Sequence, residues 1–544
     1  MMRDSFFWTC FVPFFYLLLR RLLLTYAEIH YSFKKGLSFI HRRRPEVLAD
    51  VPWRVKKGEE VPILWIIKDA DLFPIEMLRI YLLVSCGERR SQIDILNGRK
   101  RISDRLSFNL KMIKLPEWAS GKVKLDVHFV YLQNGFIRRV KNDNLPGISH
   151  DGFDIYVSEH DLPKLEGWYY GDVHYHSDKT DDQVEFGAPI WVAKEMAKAV
   201  GLSWFAVTDH SYDLDIPPGE MFGLDESLGR WRRLIDEVEQ INGSDDNFAV
   251  LLGEEVSCGN SLDQNIHLLA FRSRLFIPGR GDGGKRGINF RNHPDLPLKE
   301  VLSLLRGNGG YAYAAHPHEG STFLSRLALN RGHWRDEDLT QEGCYGMQLW
   351  NGCSKIGLEI SYRHWIKLLL SGYRLYVIAG SDAHGDFNRF RRVTYPFFWV
   401  TEKRGSSFGR PRTCLFMKGE RITEQNVHCA LKEGRCIVTD GPFGAIFAED
   451  ENGGRAAVGG HIRQGKIKVE AICLSTPEFG RIKRARLIAG DLERKREVTL
   501  SRLRTSSFEE RFSCRTKISE RSYLRLEVIS ERGRCLTNPI WVVR

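Results

Sequence analysis

Between Tyr170 and Val400 the chain alternates short apolar runs with stretches of helical period, and that alternation limits the fold more than any other feature. The apolar runs read VHYH, WFAVTDH, AVLLGEEV, IHLLAF, YAYAAHP, MQLWN and YVIAGSDAH. Helical periodicity falls near Ala188 to Val200, Leu224 to Ile241, Leu298 to Arg306 and Leu358 to Leu370. About seven continuous apolar strands with crossover helices are the signature of a parallel sheet buried on both faces or closed as a barrel. In such a sheet the carboxyl ends of the strands meet at one mouth, so residues remote in sequence converge there.

All but one of these runs end on nitrogen or oxygen donors. If Val173 to Ser177 is a strand, His174 and His176 project from the same face and reach one metal ion. With 17 His in 544 residues, an HxH triplet arises by chance roughly half a time, so it proves little alone. The other strand ends add His210, Glu255, His267, His316 and the pair Asp382 and His384, and the first loop adds Asp181. Glu254 and Glu255 are adjacent, and only one of them points inward. Any single strand histidine is more often a hydrogen-bonded core residue than a ligand. Five strand ends burying costly polar side chains for unrelated reasons is a poor joint explanation. Nine donors exceed the four of a closed zinc site, which implies two or three adjacent divalent ions. Imidazole with carboxylate suits Zn, Mn or Fe.

The motifs HYHSDKTDD, VTDH, GEEVS, AHP and GSDAH together resemble the PHP (polymerase and histidinol phosphatase) superfamily over roughly Gly167 to Val400. The opening GDVHYHS and the later ALKEGRCIVTDGPF, Ala430 to Phe443, are similar to its carbaryl-hydrolase-like (CehA/McbA) branch. The resemblance implies an α/β fold: a PHP-type (β/α)7 distorted TIM-like barrel flanked by N- and C-terminal β-sandwich domains. It further implies that His174, His176, Glu255 and Asp382 hold one metal, that Glu255 bridges to a second with His267 and His316, and that Asp181, His210 and His384 hold a third. Some members of the family carry a histidine where this chain has Asp181. Asp172 and Asp209 are expected behind the ligands, orienting imidazoles.

Composition places the rest. At 544 residues and 42% apolar content the chain is globular and too long for one core. The expected segments are a hydrophobic and amphipathic helix over 1–44, a sandwich over 45–165, the metallohydrolase barrel over 166–410, and a helix plus sandwich over 411–544. Period-two runs such as Lys122 to Tyr131, followed by Asn134-Gly135, carry the first sandwich. The formal charge of +11 comes from two flanks, residues 20–57 and 481–505, which favours an anionic partner near the ends over a basic central groove. Eleven cysteines without a CxxC pair argue against a disulfide framework and a thiolate zinc site. The apolar run Phe6 to Leu19 is shorter than the ~20 residues of a spanning helix. With Lys34, Lys35 and Arg42 to Arg44 behind it, it reads as an interfacial helix on anionic lipid, in a cytoplasmic protein attached peripherally to a membrane.

These features predict a metal-dependent phosphoesterase acting on a small phosphorylated or ester substrate through a metal-bound hydroxide, with Glu255 and Asp382 as catalytic carboxylates and Lys179 and Arg389 as substrate contacts. The same centre suits a carboxyl or carbamate ester. A nuclease is the third reading; the basic flanks favour it, but no aromatic-basic alternation accompanies them, so nucleic acid is not the expected partner.

Overall fold

The computed structural model describes residues 44–145, 151–180, 186–217, 223–245, 247–281, 293–318, 326, 329–352, 354–389, 392–394, 399–401, 407–417 and 419–544. The N-terminal helix expected over 1–44 lies outside them apart from Arg44, and so does Asp181.

Residues 46 to 158 build two sheets. Glu46–Asp50, Glu60–Lys68 and Leu106–Lys114 form a three-stranded antiparallel sheet. Arg54–Lys56, Phe153–Ser158, Gly121–Gln133, Ile75–Cys86 and Arg89–Ile102 form the second in that order, with Phe136–Lys141 alongside Gly121–Gln133. In Gly121–Gln133 the alternation buries Val123, Leu125, Val127, Phe129 and Tyr131 on one face. Glu60–Lys68 is apolar on both faces because both are covered. Val61, Ile63, Trp65 and Ile67 face the core shared by the two sheets, while Leu64 and Ile66 pack with Trp168, Tyr170 and Met196 of the central region.

The central strands correct the expected barrel. Trp168–His176, Trp204–Val207 and Ala249–Gly259 are parallel neighbours. Ala249–Gly259 then pairs antiparallel with Asn265–Phe271, which pairs antiparallel with Tyr311–Ala314. Parallel pairing resumes through Cys344–Asn351 to Tyr376–Gly380. A (β/α)7 TIM-like barrel requires every junction to be parallel, and two are not. The reason is local: only Asn260 to Gln264 connect the two strands, Asn260 N–H donates to Gln264 O at 2.9 Å, and Asp263 turns the chain at φ 56°. Five residues make a hairpin and cannot carry the chain back for a parallel return.

The sheet meets itself only at the carboxyl ends of its strands, where Ala383–His384 reaches Tyr175 and His176, and does not close along the rest of its length. The outer edge of Trp168–His176 is taken by Arg412–Phe416, antiparallel, and pairing runs on through Cys436–Thr439, Arg534–Thr537, Ser522–Ser530 and Ile482–Asp491 to Arg496–Ser507. The central and C-terminal strands are thus one mostly β, curled 16-stranded sheet. The C-terminal layers are continuous with the central region. Phe443–Asp450, Arg455–Ala457, Gly465–Leu474 and Glu509–Ile518 form a four-stranded layer that shares its core with the continuation of the long sheet.

Helices Ile190–Val200, Gly229–Ser244, Leu298–Gly307 and Lys355–Leu370 cover the central strands. Ser354 caps the last by accepting from Gly357 N–H. Among the described residues no helix is long and apolar enough to cross a membrane.

Candidate metal centre

The curl of the sheet brings the strand ends together. Ala383–His384 pairs parallel with Tyr175 and His176, and Asp382 N–H donates to His174 O at 2.9 Å. A Cβ on Gly380 would stand 2.8 Å from Asp172 Oδ1 and 2.9 Å from His174 N, so only glycine lets this strand approach so closely.

Glu255 stands at the centre. Its Oε2 lies 3.0 Å from His174 Nε2, 3.3 Å from His176 Nε2 and 3.2 Å from His210 Nδ1. Its Oε1 lies 2.7 Å from His267 Nδ1 and 3.0 Å from His316 Nε2. Asp382 Oδ1 is 3.3 Å from both His174 Nε2 and His176 Nε2, and the His384 ring stacks on His176 with centroids 4.0 Å apart. The structure therefore gathers His174, His176, His210, Glu255, His267, His316, Asp382 and His384 in one cluster, buried apart from half-buried His316. Glu254 points away and accepts from Ile277 N–H, where burial raises its carboxyl to about 8. Two members of the cluster, His316 and Asp382, hold left-handed backbone, φ 26° and 57°, which costs on the order of 1–3 kcal/mol each unless the surroundings impose it.

The hydrogen bonds fix which nitrogens carry protons. Asp382 Oδ2 accepts from Asn351 Nδ2 at 3.0 Å, Asn351 Oδ1 accepts from Gln348 Nε2 at 2.8 Å, and Gln348 Oε1 lies 2.9 Å from His174 Nδ1. With its amide donating to Asn351, Gln348 turns its oxygen on His174, so His174 carries its proton on Nδ1. His174 Nε2 is then a lone pair facing two carboxylates and, at 3.1 Å, another imidazole nitrogen. Acceptors aimed at one another inside a protein require positive charge between them. Without a metal, a proton fills that need. Burial pushes His176 down, but the Asp382 and Glu255 carboxylates outweigh it and raise the imidazole to about 10. Burial likewise works to raise Glu255, yet His174, His267 and His210 hold it well below the usual carboxylate range.

The donors fit divalent metals on this ground. His174, His176, Glu255 and Asp382 form one group of ligand atoms mutually within 4.8 Å; His210, Glu255 and His267 form another; His176, His210 and His384 form a third. Burial drives His210 well below its ordinary value and His384 to about 3, leaving both rings neutral. His267 differs: Arg331 Nη2 lies 3.1 Å from its Nε2, so the donated proton there leaves Nδ1 protonated against Glu255. It ligates only on giving that proton up.

Four further expectations are corrected. Asp172 does not orient an imidazole; it accepts from His174 N–H, Ser381 N–H, Ser381 Oγ and Gly409 N–H, tying the first strand to the last. Asp209 accepts from Ser177 N–H and Oγ and does the same for the first loop. Burial raises each carboxyl to about 6. Lys179 is no substrate contact, because its buried ammonium is held by Asp178 and Glu237 at 2.7 and 2.8 Å. Arg389 is buried over the Phe186 ring and donates to the carbonyls of Phe186 and His384, so it shapes the backbone behind the cluster.

Sequence reasoning missed Gln348 and Asn351, which lie in the one apolar run that carries no charged or imidazole side chain. It also missed His318. A narrow cleft lined by His316, His318, Gln348, Asn351 and Ser354 opens on the cluster. At its edge His364 Nε2 donates to Asp336 Oδ1 at 2.6 Å, and His364 Nδ1 lies 2.7 Å from His318 Nε2. In the neutral chain this order leaves Nδ1 of His318 as that ring's lone-pair nitrogen.

No family model and no curated protein matches the chain. Among solved structures, a Parabacteroides merdae β-glucuronidase aligns with 92% of this chain and 66% of its own length, at 7% identity and TM-score 0.18. A Paenibacillus sp. cycloisomaltooligosaccharide glucanotransferase aligns over 91% and 71%, at 9% identity and TM-score 0.17. An E. coli α2-macroglobulin aligns over 96% and 24%, at 10% identity and TM-score 0.15. The chain spans just under two thirds of the length of the β-glucuronidase. Likeness at this level assigns neither a fold family nor an activity to this chain.

Proposed function

We propose that the chain is a metal-dependent hydrolase of ester bonds, with a phosphate ester as its first class of substrate. One observation carries the reading: the Glu255 carboxylate faces five imidazoles, and lone pairs of His174, Glu255 and Asp382 meet in a buried site. The motif resemblance to polymerase and histidinol phosphatase domains supports the same chemistry independently of any barrel.

A divalent cation held there supplies Lewis acidity and a water acidic enough to ionise near neutral pH. The chain's own residues do the rest. Gln348 holds the His174 tautomer, and Asn351 holds the Asp382 carboxylate in place. Glu255 and Asp382 bring the negative charge that retains cations. A cleft between His316 and Ser354, with room for about one water, meets the cluster at His316. His318 stands at that opening, its ring direction set by His364 and Asp336.

The test is turnover of aryl phosphates against aryl carboxylates by the full chain loaded with Zn or Mn. Hydrolysis of the phosphates that falls by at least about 10²-fold in Asp382→Asn is expected. Turnover of carboxylates alone would move the substrate class to acyl esters. No turnover of any ester, or turnover undiminished in the variant, would overturn the reading.

A further inference from the structure

Two adjacent large apolar side chains stand in the open at a hairpin tip: Phe136 is 66% exposed and Ile137 57%. They follow the Asn134-Gly135 turn, whose positive φ values of 49° and 80° set the hairpin. Scattered exposed apolar residues are ordinary, but here the register collects a patch. Ile137 pairs with Leu132, Leu132 with Glu76, and Glu76 with Arg101, so one row crosses the sheet from the tip to the far edge. The next row, on the opposite face, runs Arg138, Tyr131, Met77, Lys100, with Tyr131 and Met77 buried between the two cations. The loop carrying Leu72, 50% exposed, leads into Ile75 at the same end. Arg138, Arg139, Lys100 and Arg101 are all exposed around it. Carboxylates share this end: Glu76 faces Arg99 at 3.7 Å, and Asp71 stands exposed beside Leu72.

The chain also enters the fold here. Asn144 accepts from Val47 N–H and donates to Pro45 O. The 43 residues that precede Arg44 include the apolar run 6–19 and the basic pair Arg42 and Arg43.

We infer that this end of the N-terminal sheets docks on an anionic membrane surface. Phe136 and Ile137 enter the interface with Leu72 beside them, and Arg138, Arg139, Lys100 and Arg101 meet lipid phosphates. An exposed apolar tip beside basic side chains suits a bilayer. A second copy would set the same cations against each other. The inference is independent of the hydrolase reading.

The test is hydrogen exchange of the full chain with vesicles of phosphatidylcholine containing about 30 mol % phosphatidylserine, beside pure phosphatidylcholine. Peptides covering 70–75 and 132–140 should exchange more slowly with the anionic vesicles only. Co-sedimentation should fall at least about tenfold in the double variant Phe136→Ser, Ile137→Ser, whose exposed positions leave thermal unfolding unchanged. In Arg138→Gln, Arg139→Gln the dependence on phosphatidylserine and salt should weaken. Co-sedimentation without protection of those peptides would assign the binding to residues 1–43 and overturn the inference. Protection that appears without vesicles and grows with protein concentration would identify a second copy as the occupant, and also overturn it.

Discussion

At Glu255 five imidazoles converge on one carboxylate, and the position of each proton decides what the cluster can hold. Replacing Gln348 by Leu removes the acceptor that keeps the His174 proton on Nδ1. Affinity for Zn, read by competition with a chelating dye, should fall about 10- to 100-fold in Gln348→Leu at a temperature where the variant is fully folded; unchanged affinity would remove Gln348 from this role. Asp50 offers a separate test. Although it accepts from the N–H groups of Val51, Phe387 and Asn388, burial raises its carboxyl to about 6. A carboxyl raised on folding favours the native state fully below its ordinary value near 4. That advantage, roughly 3 kcal/mol, is lost as the pH rises through 6. The stability of the full chain relative to Asp50→Asn, from denaturant midpoints, should therefore decline between pH 4 and 6; a constant difference would contradict it. At this scale the donors were legible because HxH, DH, EE and DAH fall at strand ends. Lys179 and Arg389 were misread because their partners Glu237 and Phe186 lie elsewhere in the chain, beyond what local spacing shows.

Among the elements, the strand Trp168–His176 is closely constrained by its neighbour. A Cβ on Gly171 would lie 2.1 Å from the Trp204 indole and 2.6 Å from Trp204 O, and backbone cannot yield as a flexible side-chain end does. Gly171→Ala should destabilise the chain by about 1–3 kcal/mol or more and loosen the His174–His176 face, seen as a lower thermal midpoint together with weaker metal retention. A variant as stable as the parent would show that the two strands are not packed this closely. The strands themselves were readable as apolar runs, and the crossover helices from their period. Direction was not: AVLLGEEV and IHLLAF look alike whether parallel or antiparallel. The short polar link NSLDQ was the one signal of a hairpin.

For the whole molecule, the misjudged feature was continuity. Pairing of Arg412–Phe416 with Trp168–His176 joins residues some 240 apart, and no local pattern encodes it. The cluster of donors nonetheless survives the change of architecture, since it needs only that the sheet curl enough to bring Asp382 to His174. If cations complete this core, the native state should gain stability on loading: about 2.7 kcal/mol at a free metal concentration 100 times Kd, lost again with a chelator in thermal scans. The most direct measurement is the metal content of the purified full chain by elemental analysis, beside a His174→Ala, Glu255→Gln variant of unchanged secondary structure. The account predicts at least about one equivalent of Zn, Mn or Fe per chain and its loss in the variant. A folded wild-type chain that is metal-free, and stays so after dialysis against Zn and Mn, would contradict it.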